Sequence, residues 1–99
     1  PGLAIEWAYI PHFYYNFYVY QYATSIAASS LLAEDVLANK PGAQDRYLGL
    51  LRSGGSDDPY VLLKTAGVDM ATPAPYQAIG RRMERLMGEV EEILKKQGK

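Results

Sequence analysis

The residues best equipped for chemistry lie in one stretch, Trp7-Ala-Tyr-Ile-Pro-His-Phe-Tyr-Tyr-Asn-Phe-Tyr-Val-Tyr-Gln-Tyr-Ala-Thr24. It holds the only Trp, the only His, both Phe and six of the nine Tyr. A Tyr brings packing mass and a hydroxyl together. Phenol O–H and imidazole N–H groups turned into one cleft can donate to an oxygen that is gaining negative charge. On a continuous helix Tyr14, Tyr18 and Tyr22 fall at i, i+4 and i+8, one stripe, with Tyr15 beside it and His12 one turn earlier. The same spacing suits a core in which the rings pack and His12 is a satisfied buried histidine, and spacing alone favours that role. Six Tyr in place of Phe pull the other way, because every buried hydroxyl needs a partner.

Other chemistries find little support. A closed zinc site takes about four N, S or O ligands and an open one about three; with one His and no Cys, the chain assembles neither. The lack of Cys also rules out a disulfide framework and thiolate chemistry, and it fits a reducing cytoplasm without requiring one. No carboxylates are paired in an apolar context, and Asp57 and Asp58 look like helix caps. Ser53-Gly-Gly-Ser56 is not framed by strand and helix, so it is a connector or the backbone-lined wall of a cleft rather than a phosphate loop. A net charge of −1 gives no electrostatic footprint for nucleic acid.

The elements that must position these groups read as helices. At 99 residues the chain is one domain or a piece of one, with room for a small core. It opens Pro1-Gly2 without a basic, apolar leader, so we expect no signal peptide and a cut from a longer protein. Trp7 to Ala33 carries no formal charge, which raises a membrane span. Pro11, His12, Asn16, Gln21, Thr24 and several Ser argue instead for a buried helix of a larger soluble protein. Gly2 to Tyr9 is a short apolar lead-in, and Pro11 sets a boundary or kink near Ile10. A helix is then expected from about Phe13 to about Leu37. The alternation from Tyr18 to Tyr22 would also suit a strand, but no turn signal parts it from the Ala-rich run that follows. Asn39-Lys-Pro-Gly42 ends this helix.

A second helix is expected over Ala43 to Leu51. A third has Pro59 in its first turn, Ser56 or Asp57 as its cap, and Gly67 as its stop. The last helix, capped by Thr72 with Pro73 at its first position, runs to about Lys96. Its stripe Ile79, Met83, Leu86, Val90 and Ile93 is amphipathic, and its charged face reads as solvated surface. The fold class is therefore all-α, with four to five helices.

Two segments in order carry a family resemblance: Ile10-Pro-His-Phe-Tyr14 with Phe17-Tyr-Val-Tyr-Gln-Tyr-Ala-Thr24, and later Tyr47-Leu, Ser53-Gly-Gly-Ser56, Pro59, Leu62-Leu-Lys, Ala66-Gly-Val-Asp-Met70 and Pro73. Nearly the whole chain resembles the C-terminal part of oligoendopeptidase F, a zinc oligopeptidase related to thimet oligopeptidase. The resemblance implies that residues 1–99 are one C-terminal segment of a larger helical, zincin-like peptidase domain with a channel for short peptides. It implies zinc in the parent, held by a His-Glu-x-x-His helix and a further Glu that lie upstream and are absent here. This segment would bind no metal and would be inactive alone. By position in the motif, His12, Tyr18 and Tyr22 would bind substrate and stabilise the tetrahedral intermediate. Tyr14, Tyr15, Gly54 and Gly55 would line the channel. Ser25 stands where the family usually has Gly, which keeps a small residue but adds a hydroxymethyl group. The competing expectation is a stand-alone helical module that self-associates through its aromatic face.

Overall fold

Proline, glycine and asparagine divide the chain into its elements. The computed structural model describes residues 2–98. Two 3-10 segments, Gly2–Tyr9 and Pro11–Tyr14, lead into four α-helices: α1 (Tyr20–Leu37), α2 (Ala43–Ser53), α3 (Pro59–Thr65) and α4 (Ala74–Lys96). No strand occurs among the described residues. The fold is all-α, and the Tyr18 to Tyr22 alternation does not form a strand.

The start of α1 departs from expectation. It begins at Tyr20, not near Phe13. Ile10 is extended before Pro11, with φ −85° and ψ 105°, and Pro11 opens a short 3-10 turn that stops at Tyr14. A tight turn follows, in which the Tyr18 N–H donates to the Tyr15 carbonyl at 3.2 Å. Phe17 sits in that turn at φ +60°, a left-handed conformation that is rare for a bulky side chain. This turn, and not a continuous helix, links the 3-10 segment that holds His12 to the helix that holds Tyr22.

The other boundaries rest on caps. At the end of α1, Asn39 takes φ +51°; its N–H donates to the Val36 carbonyl and that of Lys40 to the Asp35 carbonyl, satisfying two orphan groups. Gly67, at φ +100°, ends α3 in the same way, with N–H bonds from Gly67 to Lys64 and from Val68 to Leu63. The cap of α3 is Asp58, not Ser56 or Asp57: its carboxylate accepts from the Tyr60 N–H at 2.9 Å. Nor does Thr72 cap α4. Its hydroxyl donates back to the Asp69 carbonyl at 2.8 Å, and Pro73 occupies the N-cap position.

The core is small and lies where α1 crosses the first half of α4. Ala28, Leu31, Val68 and Ala78 form it, with Leu32, Leu63, Met70 and Ala74 packed against them. Alanines at the crossing let the two backbones approach closely. Arg81 of α4 holds Glu34 of α1 through two parallel hydrogen bonds of 2.8 Å, the fork geometry that fixes orientation as well as distance. The α1–α2 and α3–α4 connections are joined by one side chain. The Arg46 guanidinium donates to the Pro41 carbonyl at 3.1 Å and covers two positive-φ glycines, Gly42 and Gly67.

Two surfaces lie open. The stripe of α4 is present as expected, but Met83, Leu86, Val90 and Ile93 are exposed, as are the neighbouring Met87 and Leu94. Leu3, Ile5, Trp7, Tyr9, Phe13 and Phe17 of the N-terminal segment are exposed as well. No described helix is long and apolar enough to cross a membrane.

Candidate functional site

Three elements bring His12, Tyr18 and Tyr22 together: a 3-10 turn, a left-handed turn and the first turn of α1. The His12 and Tyr18 rings stack, with centroids 5.2 Å apart and planes at 27°. Tyr22 meets Tyr18 edge-on at 5.9 Å, and Tyr15 meets it edge-on at 6.2 Å. Tyr18 is therefore the hub of a four-ring cluster, joined by the edge and offset contacts that aromatic quadrupoles favour. The cluster forms without the expected stripe. Tyr14 is not on a common helix face with Tyr18 and Tyr22; its hydroxyl donates to the Ala8 carbonyl at 2.9 Å and braces the first 3-10 segment.

The cluster is open to solvent. Tyr22 is 62% exposed and only Tyr18 is partly buried. The Tyr18 hydroxyl pushes the Tyr22 phenol above the ordinary tyrosine value, first through hydrogen bonding and then through repulsion between two developing phenolates. The Tyr22 phenol thus stays protonated, and available as a donor, through neutral pH. An exposed His and phenols whose O–H and N–H groups are free to donate can bind a carbonyl oxygen or a developing oxyanion. Among the described residues, no group of three His, Cys, Asp or Glu is placed to hold a metal ion.

Gly54 and Gly55 lie in the α2–α3 loop. Gly54 takes φ +53°, and a Cβ on either glycine would meet nothing within 4 Å, so the loop is open space with no close backbone approach. Ser25 lies exposed on α1.

One contact escapes sequence reasoning. The Tyr20 and Tyr76 hydroxyls lie 3.5 Å apart and tie the start of α1 to the start of α4. Nothing local in the sequence links positions 56 residues apart. The pairing pushes the Tyr76 phenol up, chiefly through the hydrogen bond to Tyr20.

Comparison with known proteins agrees with this architecture. The family model for Peptidase family M3 matches residues 4–81. Oligopeptidase PepF of Bacillus subtilis is 46% identical over 95% of this chain and 14% of its own length. Group B oligopeptidase PepB of Streptococcus agalactiae is 44% identical over 92% of this chain and 15% of its own. Among solved structures, a "putative peptidase" from Chlamydophila abortus superposes with a TM-score of 0.79 and 50% identity, covering 89% of this chain and 15% of that one. The chain thus spans about one seventh of the length of the curated relatives it matches.

Proposed function

The chain belongs to peptidase family M3, and from that premise we propose that it is the C-terminal helical segment of a zinc oligopeptidase of the oligoendopeptidase F type. In the longer protein it contributes donors that hold a short peptide and stabilise its tetrahedral intermediate. The observation that carries this proposal is the convergence of His12 and Tyr22 on Tyr18 from separate elements.

Among the described residues no set of side chains fits a metal site. Zinc, on this proposal, is held by the remainder of the longer protein, and the chemistry assigned here needs only this chain's own groups. The scissile carbonyl becomes more basic as its carbon turns tetrahedral. A Tyr O–H or the His12 N–H aimed at that oxygen then binds the intermediate more strongly than the ground state, which is the condition for acceleration. Tyr15 flanks Tyr18 and offers a ring face to a substrate side chain. Tyr14, engaged with Ala8, acts through the backbone it braces. On this proposal the metal and the general base for water lie in the remainder of the longer protein, and the segment is inactive alone.

The test is steady-state kinetics of the longer protein on a quenched fluorescent peptide, comparing wild type with Tyr18→Phe, Tyr22→Phe and His12→Ala at equal zinc content. Loss of one oxyanion donor lowers kcat by about 100-fold with KM little changed. Wild-type kcat in all three variants would return the cluster to a packing role.

A second proposal draws on the exposed apolar surface. Trp7 at 59% and Phe17 at 81% exposure are unusual for a monomer, and a self-associating module would bury them. The two proposals part on the longer protein: peptide hydrolysis supports the first, and a stable oligomer without hydrolysis supports the second.

A further inference from the structure

Two described residues other than glycine take positive φ, Asn39 at +51° and Phe17 at +60°. Asparagine tolerates this conformation, whereas a bulky aromatic is an outlier there. Phe17 is the third residue of the turn that the Tyr18 N–H closes on the Tyr15 carbonyl at 3.2 Å. Glycine or asparagine ordinarily takes that place when φ is positive. The residue just before it is Asn16. The reverse order, with Asn after Phe, would put the tolerant side chain at the strained position without changing composition. Folding of this chain is therefore not what the ring at position 17 serves.

Packing within the chain does not explain it either. The ring is 81% exposed and, among the described residues, stacks on no other aromatic. Strained backbone concentrates where a side chain is held for a ligand. The two ends of the turn are Tyr15 and Tyr18, both rings of the cluster that His12 and Tyr22 complete. Neighbouring Cα atoms lie about 3.8 Å apart, and an extended peptide advances about 3.3 Å per residue. A peptide whose carbonyl oxygen meets the donors of this cluster thus carries the side chains beside that carbonyl past Phe17.

We propose that Phe17 is a specificity-determining residue. Its ring receives a large apolar side chain of the peptide, on one side of the bond that is cleaved, and directs the longer protein to peptides with such a residue there. This role rests on the reading of His12, Tyr18 and Tyr22 as oxyanion donors, and adds to it the class of side chain selected beside the scissile bond. The contact is made equally in the ground state and the transition state, so it acts on KM and leaves kcat unchanged.

The longer protein and two pairs of quenched fluorescent peptides provide the test. Members of a pair differ only by Phe or Ser at one residue, before the cleaved bond in one pair and after it in the other. Wild type prefers the Phe peptide in one pair. Phe17→Asn lowers that preference about tenfold, through KM and at constant kcat, and Phe17→Tyr, which keeps the ring, retains it. Because Asn relieves the backbone strain, the urea midpoint of Phe17→Asn does not fall, which separates loss of a substrate contact from loss of fold. An unchanged preference in Phe17→Asn would overturn the proposal, as would a wild type that discriminates within neither pair. A lower urea midpoint with an equal fall in kcat/KM on all four peptides would also overturn it, by assigning the ring to packing against the remainder of the protein. Wild-type kcat in Tyr18→Phe, Tyr22→Phe and His12→Ala would remove the donor reading and this role together. Reduced kcat in those variants beside an unchanged preference in Phe17→Asn would remove this role alone.

Discussion

Tyr18 decides the geometry of the aromatic segment, and Phe17 decides where Tyr18 points. The left-handed backbone at Phe17 costs about 1–2 kcal/mol for a residue with a Cβ. At 81% exposure its ring recovers little of that by packing. Asn tolerates this conformation better. Phe17→Asn should therefore raise the stability of the chain by about 1 kcal/mol, read as a higher urea midpoint at constant m. In the longer protein the same variant should leave Tyr18 in place, and kcat with it, unless Phe17 itself meets the remainder of the protein. The strain was not legible in the sequence. No residue type announces a Phe at positive φ, and the Ala-rich run after Tyr22 made a helix through Phe13 to Leu37 the simplest expectation. The residues that meet, His12, Tyr18 and Tyr22, were named from their motif; the turn that makes them meet was not foreseen.

At the scale of elements, the sequence was most legible where a cap has a chemical signature. Gly67 stops α3 and Pro59 starts it. Asn39-Lys-Pro-Gly42 closes α1, because glycine and asparagine accept positive φ and proline cannot continue a helix. Thr72 was misassigned, since its hydroxyl is spent on the Asp69 carbonyl. The pairing of α1 with α4 was not legible, because Glu34 and Arg81 lie 47 residues apart. Arg81 holds the Glu34 carboxyl below the ordinary glutamate value, chiefly by hydrogen bonding. The folded form thus has the lower pKa. The bridge contributes its stability above the unfolded value and loses it as pH falls through the folded one. Asp69 is lowered too, first by the Ala71 N–H and then by the Tyr60 hydroxyl, and its contribution has the same sign. Urea midpoints should fall between neutral pH and about pH 3, and fall less in Glu34→Gln. An identical acid slope in that variant would assign the loss to Asp69 and other carboxylates.

The whole molecule is a small core with two uncovered flanks. Helix α4 outlasts its partner: beyond Arg85, every residue to Gly98 is exposed. A helix without tertiary cover is marginal in water, so hydrogen exchange of the isolated chain should show protected amides around Ala78 and rapid exchange from about Gly88 onward. In the longer protein those amides should gain protection if the Met83 to Leu94 face is packed there. Unchanged exchange would mean that this face stays bare. The amphipathic stripe is legible in the spacing of its residues, but spacing records which side of a helix is apolar and not what covers it. The open aromatic flank and the open α4 stripe both fit a chain that spans about one seventh of its relatives' length.

The Arg46 guanidinium makes two distant loop positions interdependent. A Cβ at Gly42 would lie 3.0 Å from its Nη1, and one at Gly67 would lie 3.3 Å from its Nε. Each glycine also needs its positive φ, so Gly42→Ala and Gly67→Ala are each destabilising by about 1–2 kcal/mol. Part of each loss is the displacement of the same side chain from the Pro41 carbonyl. Once the first alanine has moved Arg46 aside, the second finds the space already vacated. The double variant should therefore unfold at a higher urea concentration than the sum of the single losses implies, and the discrepancy should vanish in an Arg46→Ala background. Two glycines 25 positions apart in the chain, with no contact between their own atoms, would then behave epistatically through one arginine.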